Sequence, residues 1–221
     1  TRTIVATPHN RDVAERSSIS AVRDLTDQLN REMQAQSIPL KVLLGMENHL
    51  EMDTPEQVDN GLAIPIEDTQ YILIELPHEF YPFYAEEVLF KLQIKGLRPI
   101  VVHPERNLAI QDDHQILANL VEKGTLAQIT ASSIAGAFGR EPQKVSRELL
   151  QQILVQIIAS DAHAAMGIRK PNLSVGVDAA ARVIGREAAL KMVEDIPQAI
   201  LENRKPELDG PPKVSRQRWW S

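Results

Sequence analysis

The chain has 221 residues, 43% of them hydrophobic, with 24 basic against 30 acidic side chains and a formal net charge of -6. That length and apolar content suit one globular domain with a sizeable core, and the acidic balance argues against a general nucleic-acid binder, which needs a basic face for the phosphate backbone. With no cysteine in the sequence, disulfides, zinc thiolate sites and thiolate nucleophiles are excluded together. No apolar run approaches the roughly 20 residues of a membrane span, and the chain reads as cytoplasmic.

Thr3-Ile4-Val5-Ala6-Thr7 reads as a buried strand, and an opening at Thr1, without Met, directly onto such a segment is expected of a fragment. After Ser17 and Ser18, Val22, Leu25, Leu29 and Met33 recur at helical spacing and predict an amphipathic helix. Lys41-Val42-Leu43-Leu44-Gly45-Met46 predicts a second strand, residues 55–62 a short helix, and Tyr71-Ile72-Leu73-Ile74-Glu75-Leu76 a third strand. A helix over 84–95 stops at Gly96 before a strand at Pro99-Ile100-Val101-Val102. The alternation continues with a helix over 116–122, a strand over 126–130, helical material over 132–153, a strand over 155–159 and helices over 177–184 and 186–194. Short apolar strands alternating with helices predict an α/β fold with a parallel sheet, either doubly wound or closed into a barrel. Residues 204–221 differ: three prolines, several basic residues and Trp219-Trp220 predict a flexible basic tail after a domain of residues 1–203.

In parallel α/β folds the chemistry gathers at the carboxyl ends of the strands. Those ends carry Thr7-Pro8-His9, Gly45-Met46-Glu47, Glu75, His103-Pro104-Glu105-Arg106 and Ser160-Asp161-Ala162-His163. A lone His or Glu at such a place is more often a structural or solvent-facing residue, but three of the six histidines fall at these ends. Imidazole and carboxylate without thiolate suit manganese, iron or zinc better than calcium. Converging carboxylates repel unless cations lie between them, and Glu47 and Glu75, each following apolar strand residues, would be the costliest. Arg106 and Arg169 add planar guanidiniums that bind phosphate bidentately and imply an anionic substrate. The blander alternative pairs Arg106 with Glu105 or Asp112 and leaves Arg169 to cap a loop.

Ala6-Thr7-Pro8-His9, Tyr71-Ile72-Leu73-Ile74-Glu75-Leu76-Pro77, Leu92-Gln93-Ile94-Lys95-Gly96, Val102-His103-Pro104-Glu105-Arg106-Asn107, Gly136-Ala137-Phe138-Gly139 and Ala159-Ser160-Asp161-Ala162-His163 resemble the bacterial capsule and exopolysaccharide-locus tyrosine phosphatases of the polymerase-and-histidinol-phosphatase (PHP) superfamily. The similarity covers nearly the whole chain. It implies a distorted barrel of about seven strand-helix units, similar to a (β/α)8 barrel, and hydrolysis of phosphotyrosine on a polysaccharide-regulating tyrosine kinase. It also implies two or three manganese ions, with iron or zinc as alternatives. Carried over by motif, His9, Glu47, Glu75, His103, Asp161 and His163 become metal ligands, Arg106 and Arg169 phosphate contacts, and Glu105 a residue supporting the ligands from behind. The leading mechanism is in-line attack by a metal-activated water without a phosphoenzyme.

The resembled family opens with a His-x-His strand and an Asp-Asp-Gly loop that this sequence lacks, so two further ligands and one strand-helix unit of roughly 30 residues are expected to be missing. Alternative readings are a phosphatase for a small metabolite such as histidinol phosphate, and a catalytically impaired kinase-binding remnant. The tail, through Lys213, Arg216, Arg218 and the tryptophans, is a candidate for peripheral contact with an anionic membrane.

Overall fold

A computed structural model describes residues 1–213, and the chain divides into two compact units. The first comprises Thr1–Glu75 and Phe83–Pro99, the second Leu76–Pro82 and Ile100 onward.

In the first unit β1 (Thr3–Ala6) is followed by α1 (Asn10–Arg16), α2 (Ile19–Ala35), β2 (Lys41–Leu44), β3 (Glu47–His49), α3 (Thr54–Asp59), β4 (Tyr71–Glu75) and α4 (Ala85–Ile94). β1 and β2 pair in parallel, as do β3 and β4. Tyr71, Ile72, Leu73 and Ile74 of β4 are all buried, the continuous apolar run of a parallel strand covered on both faces. Ser18 caps α2, its hydroxyl accepting from the Ala21 amide at 3.2 Å.

Three expectations are corrected in this unit. The opening strand is not buried: Thr3 and Ile4 are exposed, and only Val5 and Ala6 are partly covered. The apolar stripe of α2 coincides with its inner face only at Val22 and Met33, which are partly buried. Leu25 and Leu29 are exposed, while Thr26 is buried and Asn30 bonds the main chain of Val42 on β2 from both ends of its amide, at 2.7 and 2.8 Å. That paired amide turns the helix by a polar anchor rather than by its leucines. Glu47 does not end the second strand but opens the separate strand β3, whose Glu-Asn-His sequence carries no hydrophobic signal.

The second unit follows with β5 (Arg98–Val102), whose paired residues Ile100–Val102 lie in it, a single 3-10 turn (Pro104–Arg106), α5 (Leu108–Asp112), α6 (Gln115–Glu122), β6 (Leu126–Thr130), α7 (Ala131–Ala135), α8 (Arg140–Gln151), β7 (Ile157–Ala159), α9 (Ser174–Ile184), α10 (Arg186–Lys191) and α11 (Asp195–Leu201). β5 pairs with β6 and β6 with β7, both in parallel. Val101, Ala127, Ile129, Ile134, Val145 and Leu149 are fully buried and form its core. Gly176 lets α9 lie on α7: a Cβ there would stand 2.6 Å from Ala131 Cβ.

The helical stretch predicted over 132–153 is two helices, broken where Gly136 and Gly139 take φ of 91° and 103°, values open to glycine and costly for other residues. α11 lies beyond the last predicted helix, and its Pro197 stands in the first turn, where a proline costs no helical hydrogen bond. In the described part of the tail Pro206 is buried and the Lys213 amide donates to the Gln152 carbonyl at 2.8 Å, while most of its other residues are exposed. Arg216, Arg218, Trp219 and Trp220 lie outside the described residues.

Candidate functional site

Strand register assembles the first-unit cluster. Residues on one strand alternate sides, so Glu47 and His49 share a face while Asn48 points the opposite way. The register pairs His49 with Glu75, and an isolated parallel bridge joins His9 to Glu47. His9, Glu47 and Glu75 thereby become lateral neighbours on adjacent segments, and their ligand atoms all lie within 4.8 Å of one another. His9 Nδ1 stands 3.7 Å from Glu47 Oε1 and 3.6 Å from Glu75 Oε2. His49 Nδ1 approaches the same Glu75 oxygen at 3.4 Å.

Asn48 fixes this corner from behind. Fully buried, it donates through Nδ2 to the carbonyls of Met46, Ile64 and Leu73 at 3.0 to 3.1 Å and accepts the Ile64 amide at 3.2 Å. A rigid backing matters because Glu47 and Glu75 are largely enclosed, with side chains 8% and 16% exposed. Two carboxylates at such separations repel by roughly 3 kcal/mol at an effective dielectric near 20. The Glu75 carboxylate, against the opposing effect of burial and with help from Glu47, holds the His9 imidazole above its ordinary pKa of 6.5. One nitrogen and two carboxylates drawn together in this way suit a divalent cation such as manganese, iron or zinc.

In the second unit His103 ends β5 in a left-handed conformation, φ 36°, uncommon for a residue with a Cβ and frequent at functional sites. The 3-10 turn that follows sends successive side chains in different directions. Glu105 turns inward, wholly buried, with Oε1 accepting the Thr130 amide at 3.1 Å. Burial pushes its carboxyl above the usual range, against the opposing pull of His103. Arg106 turns outward, and Nη1 donates to Asp161 Oδ2 at 3.1 Å. Arg169 Nη2 donates to the same oxygen at 2.8 Å. Asp161 also has a left-handed backbone, φ 48°. His163 Nδ1 lies 3.1 Å from the Asp161 carbonyl oxygen, and the amides of His163 and Ala164 donate to the Arg169 carbonyl, closing the loop that presents the arginine.

Arg106 therefore pairs with neither Glu105 nor Asp112; its partner lies 55 residues along the chain. One carboxylate facing two guanidiniums leaves a net positive corner. Arg106 and Arg169 also line a cavity of about 380 Å³ with His78, Leu108, Phe138 and the exposed Glu79. His78 stands edge-on to His103 with ring centroids 5.5 Å apart. Asn107, buried, accepts the Ile110 amide at 2.9 Å and donates to the carbonyls of Pro77 and Phe80 at 2.5 and 3.0 Å, fixing the turn that carries Arg106.

Each residue singled out in the sequence thus lies in one of two clusters: His9, Glu47 and Glu75 in the first unit, and Arg106, Asp161, His163 and Arg169 in the second, with His103 and Glu105 on the turn beside Arg106. His49, Asn48, His78, Asn107 and Phe138 were not anticipated. For His49 a signal existed, since it stands two residues from Glu47 and shares its face in any extended segment.

The chain matches the family model for capsular polysaccharide synthesis, CpsB/CapC, over residues 1–202. It is 41% identical over 162 residues to the tyrosine-protein phosphatase YwqE of Bacillus subtilis, covering 73% of this chain and 64% of that protein. It is 35% identical over 161 residues to CapC of Staphylococcus aureus, covering 73% of this chain and 63% of that protein. It thus spans less than two thirds of the length of these two curated relatives. The crystal structures of YwqE from Bacillus subtilis and CpsB from Streptococcus pneumoniae, described as unique metal-dependent tyrosine phosphatases, include a chain that superposes with a TM-score of 0.87 at 33% identity, over 97% of this chain and 86% of that one. The α/β fold, its parallel strands and the matched residues together place this chain in the CpsB/CapC family of capsular polysaccharide synthesis.

Proposed function

We propose that this chain is the greater part of a metal-dependent phosphatase that hydrolyses phosphotyrosine on a protein, with a polysaccharide-regulating bacterial tyrosine kinase in the cytoplasm as its substrate. The observation that carries the reading is the convergence of His9, Glu47 and Glu75 within 4.8 Å, one imidazole nitrogen and two carboxylates in a mostly enclosed place, a donor set that suits a divalent cation. The distorted seven-unit barrel, and a phosphatase domain over residues 1–203, belong to the same reading.

His9, Glu47 and Glu75 in the first unit, and His103, Asp161 and His163 in the second, are the residues that would hold metal, manganese first. When bound, the metal supplies Lewis acidity, which brings proton loss from water near neutral pH and polarises a phosphoryl oxygen. Arg106 and Arg169 bind the non-bridging phosphoryl oxygens and neutralise charge as it builds on them. Asp161 orients both guanidiniums through one oxygen. Glu105 and Asn107, locked to the main chain, keep the turn that carries Arg106 in place. A phenol of pKa about 10 is a good enough leaving group to need no strong general acid.

The test is phosphate release from a phosphotyrosine peptide by metal-free protein with and without added manganese. Release is expected to require manganese and to stop with chelator, and His103→Ala or Asp161→Ala to abolish it. Undiminished release after chelation would contradict the reading. Faster turnover of histidinol phosphate than of the peptide would move the substrate to a small metabolite, and peptide binding without turnover would favour a kinase-binding module.

A further inference from the structure

We propose that Phe138 is a positioning residue: its ring holds the Arg106 and Arg169 guanidiniums together as one oxyanion-binding pair. The inference rests on the reading that these two arginines take the phosphoryl group.

Phe138 stands in the break between α7 and α8, with Gly136 and Gly139 on either side of it at positive φ. Its ring is half-buried, and it lines the same cavity as the two arginines. The guanidinium carbon of Arg106 lies 5.7 Å from the ring centroid and that of Arg169 5.9 Å, both within the roughly 6 Å at which a cation is drawn to an aromatic face.

An aromatic ring suits this position for an electrostatic reason. Two guanidiniums that share the single oxygen Asp161 Oδ2 repel each other. A second carboxylate bonded to them would cancel the charge an oxyanion needs; Glu79, on the same cavity wall, is exposed to solvent. A ring quadrupole attracts both cations and leaves their charge intact. The ring also acts independently of Asp161. Under the proposed function that carboxylate is shared with a metal, which weakens it as an acceptor for the arginines, whereas the Phe138 contacts involve no metal ligand. Arg169 has the greater need, because it stands on a loop without regular secondary structure and is held there through its carbonyl.

The test is calorimetric titration of inorganic phosphate into the full chain for the wild type, Phe138→Tyr, Phe138→Leu and Arg106→Ala, with 3,4,5-trifluorophenylalanine at position 138 as a variant that keeps the ring's shape and weakens its quadrupole. Thermal melting checks that each is folded. Phe138→Tyr is expected to bind within about twofold of wild type, and the Leu and trifluoro variants roughly tenfold more weakly. In turnover of a small phosphate monoester the loss should fall on KM rather than kcat. Wild-type phosphate affinity in the trifluoro or Leu variant would overturn the role given to Phe138, as would an equal loss in the Tyr and Leu variants, which would assign the effect to packing. If Arg106→Ala binds phosphate as tightly as wild type, the arginine reading itself fails, and this inference with it.

Discussion

In the first unit Glu47 and Glu75 face His9, with His49 beside Glu75; in the second, one carboxylate, Asp161, faces two guanidiniums, Arg106 and Arg169. The first cluster carries an excess of negative charge in a mostly enclosed place, the second an excess of positive charge beside a cavity. Under the proposed function the first takes a cation and the second an anion, with His49 beside Glu75 in the first and Glu79 on the cavity wall in the second. Both are backed by a buried asparagine bonded to main chain, Asn48 in one and Asn107 in the other. The difference lies in the sign of the charge that each cluster gathers, while in both a buried asparagine fixes the neighbouring main chain.

Neutralising Asp161 should separate the two roles most sharply. Asp161→Asn keeps the shape and raises the surplus on the arginines, so turnover of an aryl phosphate should fall by at least about a hundredfold while phosphate binding holds or tightens. Parallel loss of both would mean that Asp161 serves only to place the arginines. Removing the backing comes next. Asn48→Ala leaves the Ile64 amide and several carbonyls buried without their partner and should cost about 2–4 kcal/mol, seen as a lowered denaturation midpoint. Asn107→Ala removes a helix cap and two further bonds and should cost about 2–3 kcal/mol. A loss under about 0.5 kcal/mol at either site would show that the backing is dispensable.

The smallest effect concerns pH. The Arg11 guanidinium, bonded to Glu51 at 2.6 Å, holds that carboxyl below its ordinary value of 4.5. A depressed carboxyl pKa contributes stability that is present above 4.5 and is lost as pH falls through the folded value. Glu51→Gln should therefore lower the melting temperature slightly, on the order of 1 °C, at pH 7, and the difference should shrink as pH falls below 4.5. A difference that does not shrink as pH falls would assign the effect to packing.

How much of this was legible in the sequence depended on how far apart the partners lie. β4, β5 and β6 announced themselves as apolar runs because parallel strands are covered on both faces. β3 did not, since Glu47, Asn48 and His49 are polar side chains whose partners come from other segments. The leucines of α2 signalled a helix correctly but the wrong inner face, because Asn30 anchors it by hydrogen bonds that no hydrophobic pattern records. Of the proposed ligands, Glu75 ends its strand and His9, His103 and Asp161 follow theirs, as the sequence predicts, whereas Glu47 opens β3. The partner of Arg106 was not: neighbouring Glu105 offered a nearer carboxylate, and only the inward turn of Glu105 after β5 leaves Arg106 to Asp161. Phe138 falls within the stretch predicted as helix over 132–153, and its role depends on the break at Gly136 and Gly139 that brings its ring to both guanidiniums.

The account turns on the cation expected at His9, Glu47 and Glu75. Calorimetric titration of manganese into metal-free wild type and into Glu75→Gln tests it most directly. Saturable binding by wild type, weakened at least tenfold by a substitution that changes charge and almost nothing else, is the predicted result; equal heats from the two proteins would contradict it.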